Sequence, residues 1–202
     1  TILGRLLNYL LVPLQTYIFA TDQYGIVGEL YAWTSLIFVL LTFGMETTFF
    51  RFSQNIENRE KTFSMVSLFL LFTSGVFVLF ASIFSSNIAN YLLFPEFPEY
   101  IIYMAFIVAV DAFTSVHFAR FRLIQRPIKF AFIKSLNIFT NIFLNVFFLV
   151  ICPYLESKNF LPGLMSLIYQ KEIGIGYIFI ANLAASLITL LFLIPDLINF
   201  KW

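Results

Sequence analysis

The chain has 202 residues, of which 60% are hydrophobic and 11% charged, with a net charge of +1. Soluble domains carry about 25% charged residues, and part of any water-borne fold must face water, so the composition reads as an integral membrane protein. One cysteine and one histidine exclude an internal disulfide, a CxxC motif and a His-rich metal site. No metal, cofactor or nucleic-acid partner is expected.

A bilayer-spanning helix needs about 20 predominantly apolar residues. Six segments qualify: Ile2–Ala20, Leu30–Phe50, Phe63–Phe84, Tyr100–Ala119, Ile133–Cys152 and Gly174–Ile194. The first carries Arg5, Asn8 and Pro13 and reads as a helix whose first turns are missing. The chain opens on Thr1 without a charged leader region or a small-residue cleavage site. It is therefore not read as a signal peptide, and the true N-terminus is expected upstream.

The second segment closes on GMETTFFRF, which sets Glu46 and Arg51 among phenylalanines. Gly44, Thr47 and Arg51 fall roughly on one helical face, whereas Glu46 lies about 140° from Arg51. Glu46 must then find a cation on another helix or a watery opening. Two readings stand side by side: a polar rim at the inner mouth of a cavity, or a simple helix stop with Arg51 reaching for the interface.

The third segment is followed by FPEFPEY (Phe94–Tyr100), whose prolines stop one helix and restart another. The fourth places Asp111 at mid-membrane with Thr114 and Ser115 one turn on. An intramembrane acid is costly and faces protein or water. Asp111 fits either a packing hydrogen bond or a coupling-ion site. His117 lies about 200° round the helix from Ser115, which argues against a Ser–His nucleophile.

The fifth segment holds Asn137, Asn141 and Asn145 at intervals of four, one slowly drifting stripe. Such amides seek interhelical partners or line a cavity, and the bundle interior is expected for Asn141 and Asn145. The loop from Pro153 to Ile173 contains FLPGLMSLIY, which suits an interfacial segment, and the sixth segment adds Asn182, Ser186 and Thr189.

If six helices alternate, Arg5, Arg51, Arg59, Lys61, Arg120, Arg122, Arg126, Lys129, Lys134 and Lys201 fall on one side. Only Lys158 and Lys171 fall on the other, with Asp22, Glu29, Glu96, Glu99, Glu156 and Glu172. Cytoplasmic loops carry the Lys/Arg excess, so both ends of this segment are expected in the cytoplasm.

The runs GRLLNYLLVPLQTYIFATDQYGIVGELYAW, GMETTFFRF and KFAFIKSLNIFTNIFLNVFFL resemble the N-terminal half of bacterial polysaccharide and O-antigen flippases. These belong to the multidrug/oligosaccharidyl-lipid/polysaccharide exporter superfamily. The features that match are Arg5 near the start of helix one, the pair Tyr24–Gly25 in the first outer loop, and Gly44 ending helix two before Arg51. The resemblance implies an all-α, polytopic protein, with residues 1–202 forming one six-helix bundle, the N-terminal lobe of a twelve-to-fourteen-helix transporter. It implies a bacterial cytoplasmic (inner) membrane location and a role in cell-surface polysaccharide or lipopolysaccharide synthesis. The substrate would be a polyprenyl-diphosphate-linked oligosaccharide, and the partners membrane lipids and a second six-helix lobe. No enzymatic activity is implied.

By position, Arg5 and Arg51 would meet the diphosphate. Glu46, Asn141 and Asn145 would line the cavity, and Asp111 would serve a coupling ion. Two other readings are a multidrug or small-cation exporter of the same superfamily, which calls for several buried acids, and a membrane enzyme acting on lipid carriers. The enzyme calls for clustered acids or a DxD loop, where the Lys/Arg-rich loops offer only Glu57 and Glu60.

Overall fold

A computed structural model describes residues 11–54, 56–158 and 162–198, and all regular structure among them is helical. The elements in chain order are α1 (Leu11–Ile18), α2 (Thr21–Thr42), α3 (Met45–Phe52), α4 (Ile56–Ile83), α5 (Ser85–Tyr91), α6 (Glu99–Leu123) and α7 (Pro127–Val146). After α7 come a π-helical turn (Phe147–Ile151), α8 (Cys152–Ser157), α9 (Pro162–Ile168), a 3-10 turn (Lys171–Ile173) and α10 (Gly176–Ile198).

Five helical stretches are long and apolar enough to cross a membrane: Thr21–Phe52, Asn58–Ile83, Glu99–Leu123, Pro127–Ser157 and Gly176–Asp196. The sixth expected span, Ile2–Ala20, falls within the described residues only from Leu11 onward, and Arg5 lies outside them. Large apolar side chains such as Met65, Phe72, Leu79 and Ile83 on α4 are exposed. A surface of this kind suits hydrocarbon, since patches of this size are rare on proteins that meet water.

Helix α6 is the axis of the bundle. Buried residues make up 61% of its apolar stretch, against 17% in the α2–α3 stretch. It packs on α4, α10, α2, α3 and α7. Small residues let neighbours approach: Ala105, Ala109, Ala112 and Ala119 on α6, and the buried Ser67, Ser74 and Ala81 on α4. Between helices in a membrane, such close packing supplies attraction that the hydrophobic effect does not.

Two local features depart from straight helix. At the end of α2, Phe43 (φ 48°) and Gly44 (φ 64°) are both left-handed, so the chain turns before α3. The second span is thus two helices rather than one, and it begins at Thr21, nine residues ahead of the expected Leu30. In the fifth span, Pro153 has no N–H to give to Leu149, and its ring presses on that carbonyl. The chain accommodates it with one wide turn, in which the Cys152 N–H bonds the Phe147 oxygen five residues back. The helix therefore runs on to Ser157, where a loop from Pro153 was expected.

The helices alternate in direction, which gathers charge as the sequence implied. One end, here the basic end, holds Arg51, Arg59, Lys61, Arg120, Arg122, Arg126, Lys129 and Lys134. The acidic end holds Asp22, Glu29, Glu96, Glu99, Glu156 and Glu172.

Candidate functional site

The polar residues of the spans converge on α10. Its Asn182, Ser186 and Thr189 recur at roughly one-turn spacing and reach three different helices. Asn182 Nδ2 donates to the Tyr31 hydroxyl of α2 at 3.0 Å. Ser186 Oγ donates to Asp111 Oδ1 of α6 at 2.8 Å. Thr189 Oγ1 accepts from Asn137 Nδ2 of α7 at 3.0 Å. In hydrocarbon a polar side chain without such a partner is heavily penalised, so this ladder fixes the rotation of α10 against the other three helices.

The lower part of the ladder opens into a cavity of about 200 Å³ toward the basic end. Its polar lining is Asp111, Thr114, Ser115, Asn137 and Thr189, with the charged Glu46, Arg122 and Lys134, and Phe38, Phe118 and Phe130 supply apolar walls. Each charged group comes from a different element. Glu46 is on the first turn of α3, Arg122 on the last turn of α6 and Lys134 on the second turn of α7.

Glu46 and Arg122 form an ion pair, with side chains 39% and 46% exposed. The cation that Glu46 required is thus supplied by α6. Arg122 also gives its Nε–H to the Phe118 carbonyl at 3.4 Å and lies 5.4 Å over the Phe50 ring. Lys134 sits 5.6 Å from the Phe118 ring centre, and no carboxylate lies within ion-pair distance of it among the described residues.

The candidates named from sequence separate into three groups. Glu46 and Asp111 share the cavity. Asn141 and Asn145 do not line it. Asn145 is buried and accepts from Gln15 Nε2 of α1 at 2.9 Å, while its own amide donates to Asn141 Oδ1 at 3.0 Å. The asparagine stripe therefore divides: Asn137 serves the cavity, Asn145 joins α7 to α1, and Asn141 supports Asn145 from within α7. Arg51 is exposed on α3, outside the cavity lining, and Arg5 lies beyond the described residues.

In the sequence Arg122 and Lys134 stand only as loop charges, with nothing beside them to mark a site. The signal that could have found them is Glu46, an acid near a helix end that needs a cation from elsewhere. His117 packs as a buried ring, edge-on to Phe63 at 5.0 Å, with Nδ1 3.1 Å from the Phe113 carbonyl.

No family model, curated protein or solved structure matches the chain.

Proposed function

We propose that this chain is one bundle of a flippase that carries a polyprenyl-diphosphate-linked saccharide across the bacterial cytoplasmic membrane, with the basic end in the cytoplasm. The observation that carries this reading is the cavity at the basic end. It combines two cations, Arg122 and Lys134, with hydroxyls, an amide, the acids Glu46 and Asp111, and apolar walls from Phe38, Phe118 and Phe130. A lipid-borne diphosphate needs cationic donors, of which Arg offers a planar fork suited to phosphate oxygens. A saccharide needs hydrogen-bonding groups, and the prenyl tail needs apolar walls. Asp111 is the group through which an ion would couple to the cycle, as intramembrane acids often do.

Deletion of the gene tests this directly. Cells lacking it should lose surface polysaccharide and accumulate lipid-linked saccharide on the inner leaflet. The wild-type gene should restore export, and the double variant Arg122→Ala/Lys134→Ala, inserted normally, should not. Intact surface polysaccharide in the deletion strain would overturn the reading. Orientation is tested separately: thiol reagents should reach Glu96→Cys from outside, and Arg126→Cys only after permeabilisation.

One observation favours a second reading. The same lining contains two acids, Glu46 and Asp111, as a small-cation exporter of the same superfamily would need. That reading expects ethidium efflux that is lost in Asp111→Asn and unaffected in the Arg122→Ala/Lys134→Ala pair.

A further inference from the structure

Helix α3 is an eight-residue segment held by apolar packing, in which Met45 and Phe50 join Phe49, and by an ionic contact. In the packing, Phe49 is fully buried and meets Phe63 of α4 edge-on at 6.0 Å. The ionic contact is the pair between Glu46 and Arg122. Its connection to α2 is the left-handed Phe43–Gly44 step. Left-handed backbone is costly for any residue with a Cβ and persists only where surrounding contacts impose it. Phe43 is 59% exposed, its ring edge-on to Phe69 of α4 at 5.7 Å, and the Glu46–Arg122 pair is the ionic one among the contacts that hold the bend.

The charge inventory of the cavity points to what breaks that pair. Asp111 is engaged by Ser186 and Arg122 by Glu46, while Lys134 faces the same cavity without a carboxylate at ion-pair distance among the described residues. An incoming anion thus finds one cation without an ion-pair partner, though within the electrostatic reach of Asp111, and a second masked by a half-exposed carboxylate. A half-exposed ion pair is weak, whereas a phosphate offers Arg a bidentate, charge-assisted contact. The volume of about 200 Å³ equals roughly six or seven waters, which leaves room for a partly hydrated diphosphate.

We infer that Glu46 is a built-in competitor for this anion site. A phosphate or diphosphate group entering the cavity takes Arg122 and Lys134, expels Glu46, and so loosens the first turn of α3 at the Phe43–Gly44 step, while Phe49 stays seated in its apolar cluster. The inference rests on the reading that the ligand carries phosphate, and it adds a mechanism by which loading is signalled to the chain.

Hydrogen–deuterium exchange of the full chain in nanodiscs, read in the peptide covering residues 43–53, tests it with two probes, inorganic pyrophosphate and farnesyl diphosphate. Either probe should raise exchange in α3. A response to both assigns recognition to the phosphate alone, and a response only to farnesyl diphosphate assigns it to a lipid headgroup. Glu46→Gln should show raised exchange without ligand and bind the effective probe roughly two- to fivefold more tightly, since the resident competitor is gone. Arg122→Lys should bind more weakly than wild type because it loses the fork. A purely structural role for the pair would also loosen α3 in Glu46→Gln but would give no ligand response in wild type. If neither probe binds, or if binding leaves α3 exchange unchanged, the inference is overturned. The two readings fail separately. A ligand-loosened α3 alongside unimpaired surface polysaccharide in the deletion strain would sink the transport reading and leave the latch standing. Lost export with no loosening of α3 would do the reverse.

Discussion

Both ends of the bundle are packed with rings, Phe49 on Phe63 and Phe118 on Phe130 toward the basic end, but they differ in what is added to that packing. At the basic end three ion pairs among the described residues join helices: Glu46 to Arg122, Glu60 to Arg120 at 3.2 Å, and Asp196 to Lys129 at 2.6 Å. At the acidic end no ion pair joins helices among the described residues, although six acids lie there with Lys158 and Lys171. That end is closed by rings. Phe97 stacks on Tyr100 at 5.0 Å, Phe148 on Tyr177 at 4.6 Å and Tyr169 on Tyr177 at 5.3 Å, beside a buried cluster around Ile107, Ile178 and Phe179. Ion pairs at a watery rim can exchange partners at little cost. Interlocked rings cannot move without opening voids. The difference teaches that the bundle has a fixed end and an exchangeable end, and that the polar cavity lies toward the exchangeable one.

Four substitutions break or sharpen this comparison. The largest effect is expected from Phe179→Ala at the acidic end. Hydrocarbon replaces water as the reference for separated helices, so mainly the cavity part of the usual cost remains, about 2 kcal/mol. A titration with denaturing detergent should show it as an early loss of helix packing. Gly176→Ala comes next. A Cβ there would stand 2.9 Å from Ile173 Cγ2 and 3.0 Å from Tyr100 Cε1, which forces a shift costing about 1–2 kcal/mol in the same titration. It should also disturb the Tyr100 hydroxyl's bond to the Ile173 carbonyl, visible as altered tyrosine fluorescence.

Asn145→Ala, midway between these two and the ionic contacts in expected effect, removes the bonds to Gln15 and Asn141 and should cost about 1 kcal/mol. Its signature is loosening of α1 alone, read as faster hydrogen exchange over residues 11–18. The smallest effect is expected from Lys129→Ala, about 0.5 kcal/mol, and high salt should weaken it only in part, because the pair is part-buried. If Lys129→Ala proved as damaging as Phe179→Ala, the division into fixed and exchangeable ends would fall.

Much of this architecture is legible in the residues. Apolar runs such as Phe63–Phe84 and Tyr100–Ala119 lie inside α4 and α6 with a residue or so of overhang, because length and hydropathy largely decide a membrane helix. The polar start of α2 escaped notice because Asp22, Gln23 and Gly25 weaken the apolar signal without preventing helix; backbone hydrogen bonding does not need apolar side chains. Pro153 suggested a loop because a proline normally ends a helix, and the wide turn before it is a remedy that periodicity does not reveal. In the site, Asp111 stood out by cost alone, and Gly44 by its place before Arg51. Arg122 did not, since its partner Glu46 is distant in sequence and only packing brings the two together. The division of the asparagine stripe was equally hidden: identical residues at identical spacing meet Thr189, Gln15 and one another only because different neighbours face successive turns.

The single cysteine carries a practical consequence. Cys152 is fully buried where the wide turn meets α8, so in the intact protein it is shielded from maleimide reagents, and cysteines introduced at either end give signals free of native background. The same shielding makes the thiol a sentinel. Because Cys152 lies toward the acidic end, it should become reactive only when that end separates. The onset of its labelling during heating or detergent titration then times the failure of the fixed end, without any engineered label.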